Sequence, residues 1–359
     1  NTGVQNTVEV GMEEFLKLEN GLVVSFDWLS FTITTTSRYQ DVIKLLGYSQ
    51  DDFMLCPKGA RGYRSMLRLR GYQISILYDG SPGMGVHVDV SGTALSELLR
   101  SFSQTLACNC PFGGQAYEKD FDTTFMQELL RKVLEQGHVT RLDIAIDDVG
   151  CSYFSTDDLV HYYDQTRIVS KFRGMRNVEE KEILGKKTGH TLYFGSRSSD
   201  IFLRVYDKRL ERNKKLISTG QQRIQTPWIR WELELKKDRA VSVANMFASG
   251  LNLGMIAIGI LGHYFRIINL DDSNRSRCSV LEEWKDFMAG ISPLKVSFPR
   301  LLPTMEDKKN WIRRQCMPTL AAIVLGDGGS LDFIESSIAD ASVRMSQTLY
   351  DLAMHELGN

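Results

Sequence analysis

Several patterns that identify whole classes of protein are missing from this sequence of 359 residues. The six cysteines are scattered and form no Cys-x-x-Cys pair, which argues against a zinc ribbon and against a small disulfide-bonded scaffold. The six histidines form neither a His-x-His pair nor a His-Glu-x-x-His motif, so a zinc hydrolase has no support. No Walker A loop is present, which argues against chemistry driven by ATP. We therefore expect reduced thiols and a cytoplasmic protein.

Long apolar runs and a secretory signal are missing as well. A membrane-spanning helix needs about 18–20 uninterrupted apolar residues, and the nearest stretch, 251–262, is short and contains three glycines. No basic segment near the N-terminus leads into an apolar one, so no secretory signal is predicted. Hydrophobic residues make up 43% of the chain and charged residues 24%, as in ordinary globular domains. We expect no membrane partner.

Positive charge is concentrated in one part of the chain. The net charge is −1, but residues 161–240 hold 19 lysines and arginines against 10 aspartates and glutamates. Such a surplus predicts a surface for a polyphosphate, because phosphate binding depends on the local potential and not on the overall isoelectric point. The alternative is an ordinary solvated face.

The apolar periodicity changes near residue 240. Before it, β-branched and alternating segments predict strands between predicted helices; after it, the spacing is helical, with a break at Gly-Asp-Gly-Gly 326–329. We predict an α+β fold: a mainly antiparallel central sheet with flanking helices, plus a helical C-terminal portion. The predicted domains are an extension (1–20), an α+β domain (21–240) and the helical portion (241–359). The predicted strands are 21–36, 65–70, 73–78, 84–90, 141–147, 191–195, 202–208 and 229–236. The predicted helices are 39–47, 93–105, 123–136, 156–163, 240–267, 278–290, 305–325 and 330–356.

Acidic residues share one face of several predicted strands. Asp143 and Asp147 are four residues apart, so both lie opposite Leu142 and its apolar neighbours. Asp89 lies opposite valines on 84–90, and Glu232 lies opposite leucines on 229–236. Carboxylates spaced this way suit a hard cation with oxygen ligands, such as Mg²⁺ or Mn²⁺. The alternative is that the carboxylates simply form the solvent side of an amphipathic sheet.

The strand 202–208 places a tyrosine between two cations. Arg204, Tyr206 and Lys208 are two residues apart, so they share one side. A phenol has a pKa of about 10 and is a weak nucleophile at neutral pH. Neighbouring cations favour the phenolate, which could attack a phosphodiester. The alternative is a structural tyrosine in a half-buried strand.

Six blocks, in order, carry a resemblance to a known family. They are Phe-Asp-Trp-Leu-Ser-Phe-Thr (26–32), Gly-Val-His-Val-Asp-Val-Ser-Gly (85–92), Thr-Arg-Leu-Asp-Ile-Ala-Ile-Asp-Asp (140–148), Thr-Leu-Tyr-Phe-Gly-Ser-Arg-Ser-Ser-Asp (191–200), Leu-Arg-Val-Tyr-Asp-Lys (203–208) and Ile-Arg-Trp-Glu-Leu-Glu-Leu-Lys (229–236). Together they resemble the Rep_trans superfamily, which comprises rolling-circle replication initiators of plasmids and MOB-T relaxases of integrative conjugative elements.

The resemblance implies an enzyme that nicks one DNA strand at an origin and becomes linked to the 5′ phosphate. The family's tyrosine falls on Tyr206, with Arg204 and Lys208 beside it. The implied ligands of a divalent Mg²⁺ or Mn²⁺ ion are Asp89, Asp143 and Asp147, with Glu232 as the next candidate. The sheet is expected to be a distant, rearranged relative of the HUH nuclease fold. This chain has His87-Val88-Asp89 instead of two histidines, so the role of His87 stays open.

The expected partner is origin DNA, both double- and single-stranded. Further candidate partners are a host helicase and a second copy of the chain. Two other functions fit the same residues: a non-catalytic, sequence-specific DNA-binding regulator, and a metal-dependent hydrolytic nuclease. The predicted DNA-binding residues are Arg173, Arg176, Lys187, Arg197, Arg209, Arg212 and Arg230.

Overall fold

The structure is a computed structural model that describes residues 17–108, 121–294, 305, 309, 312–313, 315–345, 350 and 353–354. Its internal contacts divide the chain into two units, Asn1–Ser297 and Phe298–Asn359. The three domains predicted from the sequence are a functional division, and they stay a prediction.

A single antiparallel sheet of ten strands dominates the first unit. Its strands, in spatial order, are β2-β3-β4-β5-β1-β6-β11-β10-β9-β8, and a separate two-stranded sheet pairs β12 with β7. The predicted α+β class with a mainly antiparallel sheet is confirmed. The strands are β1 (Val23–Ile33), β2 (Phe53–Leu55), β3 (Ser65–Leu69), β4 (Ile74–Tyr78), β5 (Val86–Ser91), β6 (Gly137–Val149), β7 (Ile168–Ser170), β8 (Met175–Lys181), β9 (Lys187–Phe194), β10 (Ile201–Asp207), β11 (Trp228–Lys236) and β12 (Phe265–Ile267).

Helices flank this sheet. A short 3₁₀ turn, Gln50–Asp52, precedes β2. The predicted cap of α4 is confirmed, because the Ser155 side chain accepts a hydrogen bond from the backbone N–H of Asp158. The helices of the first unit are α1 (Tyr39–Leu45), α2 (Ala94–Cys108), α3 (Phe121–Gln136), α4 (Thr156–Asp164), α5 (Lys208–Ser218), α6 (Lys237–Ala248), α7 (Leu253–Tyr264) and α8 (Glu282–Phe287).

The core lies on the apolar face of the central strands. Ile144 and Ile146 of β6, and Leu233 of β11, are fully buried there. At the centre of this face Trp231 contacts four aromatic rings at centroid distances of 5.1–6.5 Å. Because successive strand residues point to opposite faces, this packing leaves the intervening polar residues of the same strands on the other side. The four rings are Phe154, Phe265, Trp284 and Phe287.

Several predicted boundaries differ from the structure, and in two places the difference changes the type of element. The strand predicted over 202–208 ends at Asp207, and Lys208 is the first residue of α5. The helix ends the strand here because the Asp207 side chain accepts a hydrogen bond from the Leu210 N–H and caps the helix. The helical segment predicted over 240–267 is two helices and a strand: Gly250, at φ 96°, separates α6 from α7, and Phe265 begins β12.

The sequence patterns did not predict the short elements at the edges of the sheets. The prediction omitted β2, β7 and β8, and also the basic helix α5. The strands β2 and β7 are only three residues long, too short to show a period. The strand β8 is an edge strand with many charged residues, Met-Arg-Asn-Val-Glu-Glu-Lys, so its composition is that of a loop.

The second unit contributes two described helices, Met317–Gly326 and Asp332–Val343. The predicted break between them is confirmed, with Gly328 and Gly329 at φ 66° and 94°. Parts of the helices predicted over 305–325 and 330–356 lie outside the described residues. In the described part of the chain, no helix has the length and apolar character needed to cross a membrane.

Candidate active site

The register of the strands gathers the predicted site residues on one face. Residues directly opposite each other in antiparallel strands share a face. Tyr206 on β10 lies opposite Arg230 on β11, which lies opposite Asp147 on β6. The prediction that several strands carry polar residues on a common face is therefore confirmed. We call it the polar face; its rows are Thr191, Tyr206, Arg230 and Asp147, then Tyr193, Arg204 and Glu232, then Phe202, Glu234 and Asp143, then Lys236, Arg141, Ser30 and Asp89.

Tyr206 is held at its hydroxyl and along its ring. The hydroxyl donates a hydrogen bond to Oε2 of Glu232 at 3.2 Å, and Nζ of Lys208 donates to the hydroxyl oxygen at 3.4 Å. The Arg204 guanidinium lies 5.0 Å and the Lys208 ammonium 5.4 Å from the ring centroid, within the range of cation–π attraction. With 7% of its surface exposed, Tyr206 keeps one orientation.

The resting phenol is protonated. Burial, and then the negative charge of Glu232, raise the pKa of Tyr206 well above 10, although Arg230 and Arg204 oppose this shift. Neighbouring cations do lower the pKa of Tyr206, as predicted, but burial and Glu232 outweigh them. The sequence showed the two cations but not the carboxylate that each of them faces. The hydrogen bond to Glu232 instead gives the phenolic proton an acceptor.

The two cations beside Tyr206 differ in their surroundings. Arg204 forms an ion pair with Glu232; burial lowers the pKa of Arg204, but this contact more than offsets burial. Burial, and then Arg230, lower the pKa of Lys208, although Glu211 at 2.6 Å opposes the shift. Arg204 is therefore a fixed positive charge, whereas Lys208 holds its proton less tightly than an exposed lysine.

A buried ion pair lies next to Tyr206. Nε and Nη2 of Arg230 each lie 2.7 Å from one oxygen of Asp147, and Nη1 lies 2.6 Å from Asp27. The Trp228 indole donates to the same Asp147 carboxylate at 2.6 Å. This fork geometry satisfies both carboxylate oxygens of Asp147. Arg230, predicted to contact DNA, thus has its donors directed at protein carboxylates.

Asp143 is the most crowded carboxylate of the face. It is 1% exposed and receives two hydrogen bonds from Arg141, at 2.8 and 2.5 Å. Nη2 of Arg141 also lies 3.0 Å from Glu234. Burial raises the pKa of Asp143 to about 7; Arg141 opposes the rise, while Glu232 and Glu234 add to it. Because Arg204 also pairs with Glu232 and Lys236 with Glu234, burial is the main cause of this raised pKa.

Asp89 lies at the other end of the face. Its carboxylate accepts a hydrogen bond from Ser30 at 2.5 Å and lies 3.0 Å from Nη2 of Arg61. Burial raises the pKa of Asp89, but contacts with His87 and Ser30 outweigh burial, so its pKa lies below the usual value. The ring of His87 is 3.3 Å from Asp89 and 2.9 Å from Thr32.

The four predicted metal ligands do not form one compact set in the described part of the chain. Asp147 and Asp89 each face an arginine, in different rows of the sheet. Asp143 and Glu232 are paired too, with Arg141 and Arg204, but Glu234 lies directly opposite Asp143, so this part of the face gathers three carboxylates. The oxygen donors of Asp143, Glu232 and Glu234 are those that Mg²⁺ or Mn²⁺ prefers.

A second group with metal-ligand chemistry was not predicted. The ligand atoms of Asp157, Glu179 and His190 lie within 4.8 Å of one another. The Lys187 ammonium already lies 2.8 Å from Asp157 and 2.9 Å from Glu179. His190 precedes Thr191, which lies opposite Tyr206, so the imidazole is on the other face of the sheet. No sequence spacing could reveal the group, because its members come from α4, β8 and β9.

The predicted DNA-binding residues separate into exposed and paired ones. Arg173, Arg176 and Arg197 are exposed. Lys187 forms ion pairs with Asp157 and Glu179, and Arg209 lies 3.3 Å from Asp207. The Arg212 guanidinium lies 6.0 Å from the Trp228 ring, and Arg230 is buried. The exposed arginines therefore have the chemistry and the access that phosphate contacts need.

Two cavities adjoin α5. One, of about 170 Å³, is lined by Tyr206, Arg204, Tyr193 and the start of α5. The other, of about 300 Å³, lies between α5 and the β8–β9 hairpin, where charge is mainly positive. The sequence indicated this basic stretch but not the groove that its side chains line. The positive residues of the second cavity are Lys186, Lys187, Arg209, Lys214 and Arg223.

The raised pKa of Asp143 makes stability depend on pH. Between pH 4 and 7 the folded protein keeps this proton while the unfolded chain has lost it, so stability falls as pH rises through this window. Asp143→Asn cannot ionise, so the variant is expected to lack that decline, which amounts to about 4 kcal/mol. Urea unfolding at pH 5 and pH 8 in chelator measures the difference. The exposed Asp51→Asn is the control; equal pH profiles for wild type and Asp143→Asn contradict the assignment.

Comparisons with known proteins identify the family of the chain. A sequence model of the Rep_trans family, described as replication initiation factor, matches residues 137–336, just over half of the chain. The matched range contains Tyr206, Asp143, Asp147 and Glu232.

Two relatives support the same grouping. A Bacillus subtilis (strain 168) protein described as "Putative DNA relaxase NicK" is 26% identical over 345 residues, covering 91% of this chain and 90% of that protein. A solved rolling circle replication initiator protein from Geobacillus stearothermophilus superimposes with a TM-score of 0.61 at 28% identity, covering 77% of this chain and 99% of that one. The resemblance seen in the six sequence blocks is confirmed, and the chain belongs to the Rep_trans family of replication initiation factors.

Proposed function

We propose that the chain nicks one strand of origin DNA and reseals it through a covalent bond between Tyr206 and the 5′ phosphate. The observation that carries this proposal is the contact of the Tyr206 hydroxyl with Glu232, between two cations and beside a cavity. The two relatives, described as a putative DNA relaxase and a rolling-circle replication initiator, support the same chemistry.

The nicking step exchanges one phosphodiester for another. Oη of Tyr206 attacks the scissile phosphorus, and the bond from phosphorus to the 3′ oxygen breaks. Glu232, already hydrogen-bonded to the phenol, takes its proton. The departing 3′ oxygen takes a proton from solvent and becomes a free hydroxyl. Because the new bond is itself a phosphodiester, the reverse attack by the 3′ hydroxyl reseals the strand.

Arg204 and Lys208 stabilise the negative charge that develops on the phosphoryl oxygens. Both lie against the Tyr206 ring, so they are in place before the phosphate arrives. Preorganised charges of this kind need no rearrangement at the moment of reaction. Once the proton of Tyr206 has moved to Glu232, Arg204 keeps its positive charge, and the neutralised carboxyl no longer competes with the phosphate for it.

A divalent ion is a further part of the proposal. Asp143, Glu232 and Glu234 would hold Mg²⁺ or Mn²⁺, and the ion would supply Lewis-acid chemistry to a phosphoryl oxygen. Asp89 and Asp147, predicted as ligands from the resemblance, are assigned here to ion pairs with Arg61 and Arg230. A cation in the Asp157, Glu179 and His190 group would lie across the sheet from Tyr206.

The remaining proposals concern the partners of the chain and its location in the cell. We propose residues 21–240 as the nicking domain, acting on DNA in the cytoplasm. The helical portion, 241–359, is our candidate for contacts with a host helicase or with a second copy of the chain. Arg173, Arg176 and Arg197 are the proposed phosphate contacts, because they are the exposed members of the predicted set.

Tyr206→Phe is expected to bind origin DNA but to form no covalent adduct, because the attacking oxygen is gone. Labelled single-stranded origin incubated with protein and Mn²⁺, followed by a denaturing gel, measures the adduct. Tyr162→Phe and Tyr163→Phe, on α4, are controls that keep it. Adduct formation by Tyr206→Phe would overturn the assignment. Wild type that binds without an adduct would indicate a regulator, and free 5′ phosphate without an adduct would indicate a hydrolytic nuclease.

Glu232→Gln is expected to slow single-turnover nicking about 10²- to 10⁴-fold, because the phenol loses its proton acceptor. The remaining rate should rise with pH, since hydroxide must then remove the proton. Rates measured across pH on single-stranded DNA test this, with Glu128→Gln on α3 as the control. A wild-type rate in Glu232→Gln contradicts the proton-acceptor role.

Chelation is expected to stop nicking, and Mg²⁺ or Mn²⁺ to restore it. Binding of Mn²⁺ followed by calorimetry should tighten as pH rises through about 7, because the proton on Asp143 must leave before the ion binds. Asp143→Asn should weaken binding and remove this dependence. Unchanged nicking in chelator would exclude the metal from the mechanism.

A further inference from the structure

Two aromatic rings are stacked on the polar face beside Arg204. The rings of Tyr193 and Phe202 lie 5.9 Å apart and nearly parallel, at 21°. Phe202 is 3% exposed, whereas Tyr193 is partly open to solvent. The two side chains come from neighbouring strands of one face, so Phe202 covers one side of the Tyr193 ring and fixes its plane. We call this pair the platform, because the partly open ring of Tyr193 has a second side for a planar group.

Two arginines lie over this platform. The guanidinium of Arg176 is 4.7 Å from the Tyr193 centroid, and that of Arg197 is 5.6 Å from Tyr193 and 6.0 Å from Phe202. Both arginines are exposed, and among the described residues neither has an ion-pair partner within 4.0 Å. Arg204 and Arg230, on the same face, are both paired with carboxylates. Because no carboxylate of the described residues holds these two guanidinium groups, both can turn from the Tyr193 ring to an anion from outside the protein, and that movement uncovers the ring.

The platform adjoins Tyr206. Tyr193 lies directly opposite Arg204, two residues along β10 from Tyr206. Residues related diagonally in this way are about 7–8 Å apart. Both tyrosines line the same cavity of about 170 Å³. A strand whose phosphate reaches the Tyr206 hydroxyl therefore brings its neighbouring nucleotide to the platform.

We infer that Tyr193 stacks on a base of single-stranded DNA next to the scissile phosphate, and that Arg176 and Arg197 hold the phosphates of that nucleotide. The inference rests on the proposed function and names the part of the substrate that this subsite takes. Stacking on an aromatic ring tolerates any base, since every base has a flat π-face. The subsite thus positions an unpaired strand and leaves the reading of sequence to other residues.

Binding of two probes tests the role of Tyr193 without any nicking. One probe is fluorescein-labelled oligo(dT); the other is an abasic phosphodiester strand of the same length. Wild type should prefer oligo(dT) by about 5- to 150-fold, the range of one stacked base. Tyr193→Leu replaces the ring by an aliphatic side chain, so the preference for oligo(dT) over the abasic strand should fall by about 5- to 150-fold. Tyr193→Phe should keep it. Each comparison of a variant with wild type needs the affinities of both proteins for both probes, and fluorescence anisotropy measures these four values.

The controls separate stacking from general damage. Tyr72→Leu, an exposed tyrosine between β3 and β4, should leave the preference unchanged. Arg176→Gln and Arg197→Gln should weaken both probes alike and lower the salt slope of binding by about 0.7 each. An undiminished preference for oligo(dT) in Tyr193→Leu overturns the inference, as does an unchanged salt slope in both arginine variants. If wild type forms no covalent adduct with DNA, the proposed nicking activity is wrong. The binding comparison still shows whether Tyr193 stacks on a base, because it needs no nicking.

Discussion

The pairing of buried opposite charges across the central strands is the interaction on which the site depends. Arg230 holds both oxygens of Asp147, and Arg204 holds Glu232. A lone charge at such depth would cost several kcal/mol, so each partner is required by the other. Antiparallel register places Arg204 and Glu232, and Arg230 and Asp147, directly opposite each other. The sheet therefore fixes the charge network, and the network fixes the phenol of Tyr206.

This network explains why the Tyr206 phenol, our proposed nucleophile, is protonated at rest. Burial, and then the charge of Glu232, which accepts a hydrogen bond from the phenol, raise the pKa of Tyr206. In the proposed mechanism a phosphate entering beside Arg204 would change that balance, because it would compete with Glu232 for the guanidinium. Activation of the phenol would thus belong to the complex with DNA.

Alternation along the strands separates chemistry from support. The aromatic cluster around Trp231 packs on one face, and the polar face carries Tyr206 and the carboxylates. The same alternation assigns His190 and its carboxylate neighbours to the face opposite Tyr206, where Lys187 already balances their charge. On the polar face, Tyr193 on β9 follows Glu232 on β11 and Arg204 on β10 in one row, toward the β8 edge of the sheet. The proposed catalytic and base-stacking groups are therefore neighbours by register alone.

The sequence by itself determined the fold class, most strands and helices, and the shared face of Asp143, Asp147, Glu232 and Tyr206, because strand alternation is local. It did not determine which charges meet, because Arg230 with Asp147, and Arg204 with Glu232, are joined only by strand pairing between distant segments. For that reason the sequence showed the cations beside Tyr206 but not the burial and the carboxylate that outweigh them. Lys208 was likewise placed in a strand, since its helix begins with a cap that only the folded backbone forms. The stack of Tyr193 on Phe202, and the position of His190 across the sheet, were also decided by tertiary structure, which alone sets the distances between side chains from separate strands.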